Sequence, residues 1–241
     1  MDKQDHTVTG ERMTPGGSSS RNEADHLARY KFAETFVKDK SVLDIACGTG
    51  FGVDILSKSG ASSVLGVDID QSAISYAVEN YGSDKVKFVS GSAESIEAPD
   101  NSFDVIVSFE TIEHLEDELR SKYLDELFRT LKPDGVLLLS TPNKQITSPW
   151  QDKPNNPFHI LEYTKEMLKK EVEKHGFKID FWYGQRFVQK WKTGFVVRKM
   201  SRLYEKITKS NLKWYDFADS EEVRIVPDYV EPRYFLIKAS K

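Results

Sequence analysis

Short apolar runs alternate with segments of helical periodicity along most of this sequence. Five runs have the length and composition of buried strands, at residues 41–45, 63–67, 86–89, 103–109 and 136–140. Three segments between them place apolar residues at helical spacing, at residues 53–59, 71–81 and 119–131. Strands separated by helices predict βαβ units, and therefore a mostly parallel sheet with right-handed crossovers.

The two ends of the chain extend this pattern. A helix capped by Thr164 is predicted to run to His175, and residues 177–182 and 233–239 are predicted to be the last two strands. Residues 1–22 are rich in Gly, Ser and Thr, which indicates a flexible arm or lid. Asn22 or Asp25 is the expected cap of the first helix.

Composition narrows the class of protein. The chain has 241 residues, with 34 Lys and Arg against 38 Asp and Glu, which gives a net charge of −4. Its single cysteine, Cys47, excludes an internal disulfide framework and a zinc site built from cysteines, and it fits a reducing compartment. No apolar run approaches the roughly 18 residues that a membrane span needs. A cytoplasmic protein is expected, and its acidic balance disfavours nucleic acid as a partner.

One segment departs from the acidic balance. Residues 186–213 contain nine basic residues and one acid, so this stretch carries +8. We expect an insertion of one or two helices at about residues 186–225, packed on the sheet edge with Lys and Arg facing water. A lid over an anionic acceptor, or peripheral contact with an anionic membrane, are the functional alternatives.

The sharpest local signal is a glycine-rich turn after the first strand. Gly48, Gly50 and Gly52 stand at alternate positions before a helix, where glycine lets the backbone approach a ligand. A dinucleotide fingerprint would need glycine at the position of Val53, and no phosphate-binding Gly-Lys-Ser/Thr follows. The second strand ends at Asp68, whose carboxylate can accept hydrogen bonds from both hydroxyls of a ribose. A single nucleoside without pyrophosphate is the expected ligand.

Five blocks of sequence together resemble the class I S-adenosylmethionine-dependent methyltransferases. They are VLDIACGTGFG (42–52), GVDID (66–70), GSAESI (91–96), FDVIVSFETIEHLED (103–117) and LKPDGVLLLSTPN (131–143). The resemblance implies an α/β, Rossmann-like, doubly wound sheet of seven mostly parallel strands, with the last strand antiparallel and the basic helical insertion before it. Residues 23–241 would form the methyltransferase domain, behind an N-terminal arm at 1–22.

The same resemblance implies S-adenosylmethionine as cofactor and assigns roles to residues. Asp44 and the turn at Gly48–Gly50 would hold the methionine part, Asp68 the ribose, and Ser92–Glu94 the adenine, while Ser108 and Phe109 would lie near the sulfonium. The full set of expected cofactor contacts is Asp44, Ala46, Gly48, Gly50, Asp68, Ile69, Ser92, Ala93, Glu94, Ser108 and Phe109. Two motifs resemble those of a subgroup of this family that is associated with surface-polysaccharide synthesis and quinone-type O-methylation. They are Thr9–Arg12 and the helical segment with His26, Arg29 and Tyr30.

A group of acids and imidazoles follows the fourth strand. In the first turn of a helix, Glu110, Glu113 and His114 would share one face, and His159 lies on a loop that opens on the same edge of the sheet. The set resembles the Glu-x-x-Glu-His and distal His of metal-dependent O-methyltransferases, which implies Mg²⁺ or another divalent metal. His114 as a metal-free catalytic base, and a purely structural or substrate-contacting role, are the alternatives.

Three functions remain open at this point. The first is methyl transfer to a small-molecule or glycan acceptor, at oxygen. The second is a metal-dependent RNA 2′-O-methyltransferase, and the third is a non-catalytic protein that binds S-adenosylmethionine. The complete set of cofactor residues favours an enzyme, and the net charge of −4 disfavours RNA.

Overall fold

The computed structural model describes residues 20–194, 199–200 and 222–241. The described helices are α1 (Ser20–Ala33), α2 (Phe51–Lys58), α3 (Gln71–Tyr81), α4 (Asp117–Thr130), α5 (Lys144–Thr147) and α6 (Lys165–Lys174). The strands are β1 (Ser41–Ile45), β2 (Ser63–Asp68), β3 (Val86–Ser90), β4 (Phe103–Phe109), β5 (Leu131–Pro142), β6 (Lys178–Gln189), β7 (Arg224–Ile225) and β8 (Val230–Ser240).

All eight strands belong to one sheet, in the order β3-β2-β1-β4-β5-β8-β6-β7. The first five strands pair in parallel, whereas β8 runs antiparallel to both β5 and β6. The predicted α/β class, with a mostly parallel sheet, is confirmed. The predicted number of seven strands is wrong, because the two-residue β7 pairs with β6 and extends the edge. So short a strand lacks the alternating pattern that identifies strands in a sequence.

Both faces of the sheet are covered, which explains why the strands are apolar at consecutive positions. Ile106 of β4 packs in a core with residues of α4 and α6, such as Leu124 and Leu168. Its neighbours Val105 and Val107 point to the other face, where α1, α2 and α3 supply further core residues. The amino-acid sequence therefore specifies a layer of helices on each side of the sheet.

The ends of the elements differ from the sequence prediction at three places. Asn22 and Asp25 lie inside α1, so neither of them is its cap. The fifth strand was expected at residues 136–140, whereas β5 begins at Leu131 and its register against β4 shifts between Phe103 and Val105. Residues 186–189 continue β6 instead of beginning a helical insertion. The cap of α6 is confirmed, since the side chain of Thr164 accepts a hydrogen bond from the Met167 N–H.

Two of the predicted segments lie mostly outside the described residues. The first is the arm at residues 1–22, of which only residues 20–22 are described, as part of α1. The second is the basic segment at residues 186–213, of which residues 195–198 and 201–213 are not described. Among the helices that the structure describes, none is long and apolar enough to cross a membrane.

Candidate active site

The glycine turn between β1 and α2 has a left-handed backbone, as Gly48 (φ 55°) and Gly50 (φ 84°) show. A Cβ added to Gly48 would have no atom within 4 Å, so this glycine leaves space on the side of the cavity. A Cβ added to Gly50 would lie 2.8 Å from Ala77 and Phe88. The first glycine keeps a cradle open, and the second lets the loop pack against α3 and β3.

Asp68 ends β2 beside this turn, as the sequence predicts. Its Oδ2 accepts a hydrogen bond from the Gly48 N–H at 2.8 Å, and its Oδ1 accepts one from the Asp70 N–H at 2.9 Å. The side chain is buried and also lines the cavity. A carboxylate held in this way connects the tips of the first two strands and retains lone pairs for a ligand.

A second acid, Asp44, lies behind the turn and not in the cavity wall. Burial and the neighbouring Asp68 charge raise the pKa of Asp44 to about 8, against the opposing effect of a hydrogen bond from Tyr30. The Tyr30 hydroxyl is 3.0 Å from Oδ2 of Asp44. The Tyr30 ring also packs on Gly52, where an added Cβ would lie 2.0 Å from the ring. Helix α1 is thereby held against the glycine turn.

A buried polar network attaches α1 to β6. Arg29, which is only 1% exposed, donates from Nη1 to the Gln185 side chain at 2.9 Å and lies 3.5 Å from Oε1 of Glu110. Arg186 donates to Oδ1 of Asp25 at 2.7 Å. The Arg29 Nε is buried and has no hydrogen-bond partner among the described residues. The sequence predicts no individual role for Arg29, although the motif that contains it carries part of the family resemblance.

One cavity of about 670 Å³ joins the glycine turn to the loops after β4 and β5. Eight of the predicted cofactor residues line it: Ala46, Gly48, Asp68, Ile69, Ser92, Ala93, Glu94 and Phe109. Asp44, Gly50 and Ser108 do not line it. The Ser108 hydroxyl lies 2.6 Å from the Tyr123 hydroxyl, on the face of the sheet that α4 covers, so the expected contact of Ser108 with the cofactor stays a prediction.

Residues 110–114 do not form the predicted helical turn. Ile112–His114 is a short 3-10 turn, and α4 begins only at Asp117. Glu110 has a left-handed backbone (φ 54°), and its Oε1 accepts a hydrogen bond from the Ser140 hydroxyl at 2.6 Å. Glu110 is therefore directed toward β5 and Arg29, away from the shared face that the sequence predicted.

Glu113, His114 and His159 nevertheless come together in the cavity. Among the described residues, one carboxylate oxygen and one nitrogen of each ring lie within 4.8 Å of one another, and Glu110 is not part of this group. The two imidazoles meet edge to face, with ring centres 5.0 Å apart. Three of the four residues that the sequence analysis proposed as metal ligands are thus close enough to share an ion.

Glu113 is fully buried. Its Oε2 accepts a hydrogen bond from the Thr141 hydroxyl at 3.0 Å, whereas Oε1 has no partner in the described part of the chain. Burial and the nearby Glu110 carboxylate raise the pKa of Glu113 well above its ordinary value. A buried carboxyl group with an unsatisfied oxygen is costly for the fold, and such groups are often retained for function.

Each imidazole is held through Nδ1. His114 Nδ1 lies 3.0 Å from the Phe158 carbonyl oxygen, and His159 Nδ1 lies 2.8 Å from Oε1 of Glu162. Burial opposes the ionisation of Glu162, but hydrogen bonds from His159, Ser148 and Thr147 outweigh it and hold the pKa of Glu162 below its ordinary value. The sequence analysis did not single out Glu162; the spacing His159-x-x-Glu162 was the available signal.

Known proteins match this chain in sequence and in fold. A family model described as a methyltransferase domain matches residues 43–139. A probable S-adenosylmethionine-dependent methyltransferase of Mycolicibacterium smegmatis is 34% identical over 72% of this chain and 66% of its own length. One from Mycobacterium tuberculosis is 33% identical over 71% of this chain and 61% of its own length, so the chain spans less than two thirds of these relatives.

A solved methyltransferase structure from Archaeoglobus fulgidus has the same fold. The TM-score is 0.62 at 22% identity, and the match covers 92% of this chain and 95% of the other. The fold, the glycine turn with Asp68, and the family match agree with one another. The chain therefore carries a methyltransferase domain of the class I S-adenosylmethionine-dependent family.

Proposed function

We propose that the protein transfers the methyl group of S-adenosylmethionine to an oxygen atom of a small-molecule or glycan acceptor. The observation that supports this most directly is that one cavity is lined both by Gly48 and Asp68 and by Glu113, His114 and His159. The cofactor supplies an activated methyl group, so the protein has to align donor and acceptor. An alcohol also has to lose its proton, which the acid–imidazole group can assist.

The residues present fit this cofactor. The space beside Gly48, which any Cβ would fill, suits a methionine chain, and Asp68 suits the ribose. Ser92, Ala93 and Glu94 line the part of the cavity where adenine would bind. Arg29 is the buried cation of the cavity wall, and its guanidinium can neutralise the carboxylate of the methionine part.

The cavity is also rich in polar groups besides the predicted cofactor residues. Asn22, Asn155, Asn156, His26 and Glu162 line it, together with the aromatic rings of Phe158 and Tyr234. Amides, carboxylates and imidazoles can exchange hydrogen bonds with several hydroxyl groups of one ligand, and the rings offer apolar contact. This lining supports an acceptor with many hydroxyl groups, such as a glycan.

The acid–imidazole group supports two ways of activating a hydroxyl. Glu113, His114 and His159 can hold a divalent cation, with the Phe158 carbonyl and Glu162 orienting the rings as outer partners of metal ligands commonly do. A bound cation would lower the pKa of an acceptor hydroxyl. Without a cation, the hydrogen bond between His114 Nδ1 and Phe158 leaves Nε2 of His114 as the base.

Transfer of a labelled methyl group tests the proposal. The purified protein is incubated with methyl-labelled S-adenosylmethionine and, separately, with oligosaccharides, small molecules and RNA from a cell extract. We expect label in the oligosaccharide or small-molecule fraction, and a loss of transfer with chelator that added Mg²⁺ or Mn²⁺ restores. Transfer that resists chelation would favour His114 as base. Label in RNA, or in no fraction, would contradict the proposal in favour of the RNA enzyme or the non-catalytic protein.

Cofactor affinity is expected to rise with pH up to about pH 8. In the free protein Asp44 titrates near this value, and a bound sulfonium and ammonium would favour its ionised form. The complex then has the lower pKa, so binding releases a proton below pH 8. The affinity gains at most about tenfold per pH unit and levels off above the pKa of the free protein.

Calorimetry in two buffers of different ionisation enthalpy measures the released proton. The Asp44→Asn variant is the control, since it keeps any pH dependence that comes from the cofactor itself. Equal pH profiles for the variant and the unaltered protein would contradict the assignment to Asp44.

A further inference from the structure

His159 and Glu162 form a hydrogen-bonded pair in the loop between α5 and α6. The Nδ1 atom of His159 and Oε1 of Glu162 are 2.8 Å apart, and Glu162 is only 2% exposed. Both residues line the cavity, in which His159 belongs to the group with Glu113 and His114. The role of Glu162 in this arrangement depends on which ring nitrogen of His159 carries the proton.

The carboxylate of Glu162 determines whether Nδ1 of His159 carries a proton. The other oxygen of Glu162, Oε2, accepts a hydrogen bond from the Thr147 hydroxyl, so donors surround the carboxylate. An ionised carboxylate can only accept hydrogen bonds. The Nδ1 atom of His159 must therefore donate, and it carries the proton.

The opposite side of the ring gives the same answer independently. Oδ1 of the Asn156 side chain accepts the Phe158 N–H at 3.1 Å, which fixes the orientation of the amide. Its Nδ2 atom then faces Nε2 of His159 at a distance of 3.0 Å. An amide NH₂ group can only donate, so Nε2 of His159 is the acceptor.

We propose that Glu162 is a positioning residue that, together with Asn156, holds His159 in the tautomer with the proton on Nδ1. The unprotonated Nε2 atom then offers its lone pair as an acceptor. The Asn156 amide donates a hydrogen bond to this lone pair until a cation or the hydroxyl of an acceptor replaces the amide. The tautomer serves either use of the site, since a metal ligand and a proton acceptor both need an unprotonated ring nitrogen.

The alternative is that Glu162 only anchors its loop through Thr147, and nuclear magnetic resonance separates the two roles. In the full chain labelled with ¹⁵N-histidine, long-range ¹H–¹⁵N correlations above the ordinary pKa of histidine report the tautomer of each ring. We expect the Nδ1–H tautomer for His159, identified by the signal that disappears in His159→Asn. In Glu162→Gln the new amide can donate to Nδ1 as well as accept from it, so the Nδ1–H tautomer loses part of its preference and the ring should populate Nε2–H more than in the unaltered protein.

Three variants serve as controls for the tautomer. Glu162→Asp keeps a carboxylate and should restore Nδ1–H, which covers the case that Glu162→Gln folds poorly. Thr147→Val removes the hydrogen bond that Glu162 accepts from the Thr147 hydroxyl and should leave the tautomer of His159 unchanged. Asp125→Asn makes the same acid-to-amide change at the pair of Asp125 with His175, outside the cavity, and should affect only His175.

The expected effect on turnover rests on the proposed function. Glu162→Gln should lower kcat about 10- to 100-fold, in the range seen for outer partners of functional histidines. The KM for the cofactor should not change, and Glu162→Asp should recover part of the loss. The resonance measurement needs no turnover, so it remains decisive if no acceptor is found. A His159 ring with its proton on Nε2, or one whose share of Nε2–H does not rise in Glu162→Gln, would overturn the inference.

Discussion

Replacing Asp68 with alanine is expected to abolish the binding of S-adenosylmethionine while the fold is retained. The change removes the predicted acceptor of the ribose hydroxyls and also the carboxylate that holds the Gly48 N–H. Hydrogen bonds to charged groups contribute about 1.5–3 kcal/mol each, so losing two of them should weaken binding at least about 100-fold. Isothermal titration calorimetry of the folded variant measures the affinity.

Asp70 provides a matched control two residues away. Its side chain caps α3 by accepting from the N–H groups of Ser72 and Ala73, and it does not line the cavity. Asp70→Ala should reduce the free energy of unfolding by about 1 kcal/mol, as the loss of a helix cap does. Cofactor affinity should stay within a factor of a few. Equal affinities of the Asp68 and Asp70 variants would refute the ribose assignment.

Glu113→Gln is expected to have the second large effect, on metal binding and on turnover. Glutamine has nearly the same shape but cannot supply the charged oxygen that a cation needs, so the affinity for Mn²⁺ should fall at least about 10-fold and kcat about 100-fold or more. Burial and the nearby Glu110 carboxylate raise the pKa of Glu113, so they oppose a charge at this position, and glutamine carries none. The unfolding midpoint should therefore change little.

Glu110→Gln makes the same change three residues earlier. Glu110 bonds Ser140 and pairs with Arg29, and it lies outside the group of Glu113, His114 and His159. The affinity for Mn²⁺, measured by electron paramagnetic resonance, should therefore persist in this variant. Loss of binding in both variants would favour the four-ligand arrangement that the sequence resemblance implies. Unchanged binding in Glu113→Gln would remove Glu113 from the site.

Secondary structure was predictable wherever the local pattern decides it. The strands at Ser41–Ile45 and Phe103–Phe109 and the helix at Gln71–Tyr81 have the predicted bounds. Each strand is buried on both faces and reads as a continuous apolar run, while the helix shows its own periodicity. The cap of α1 and the turn at residues 110–114 were predicted wrongly. At both positions the local sequence fits more than one geometry, and tertiary contacts, such as those of Glu110 with Ser140 and Arg29, select one of them.

The sequence by itself determined the fold class, the edge of the sheet at which the cavity lies, and the proximity of the glycine turn to Asp68. Short contiguous segments of the sequence encode these features, because each segment specifies a strand and the turn that follows it. Only the tertiary structure decided which side chains from distant segments meet. It brought Tyr30 onto Gly52, directed Glu110 toward Arg29, and placed His159 beside His114. Such contacts depend on the directions of side chains after the chain has packed, and these directions are absent from residue spacing.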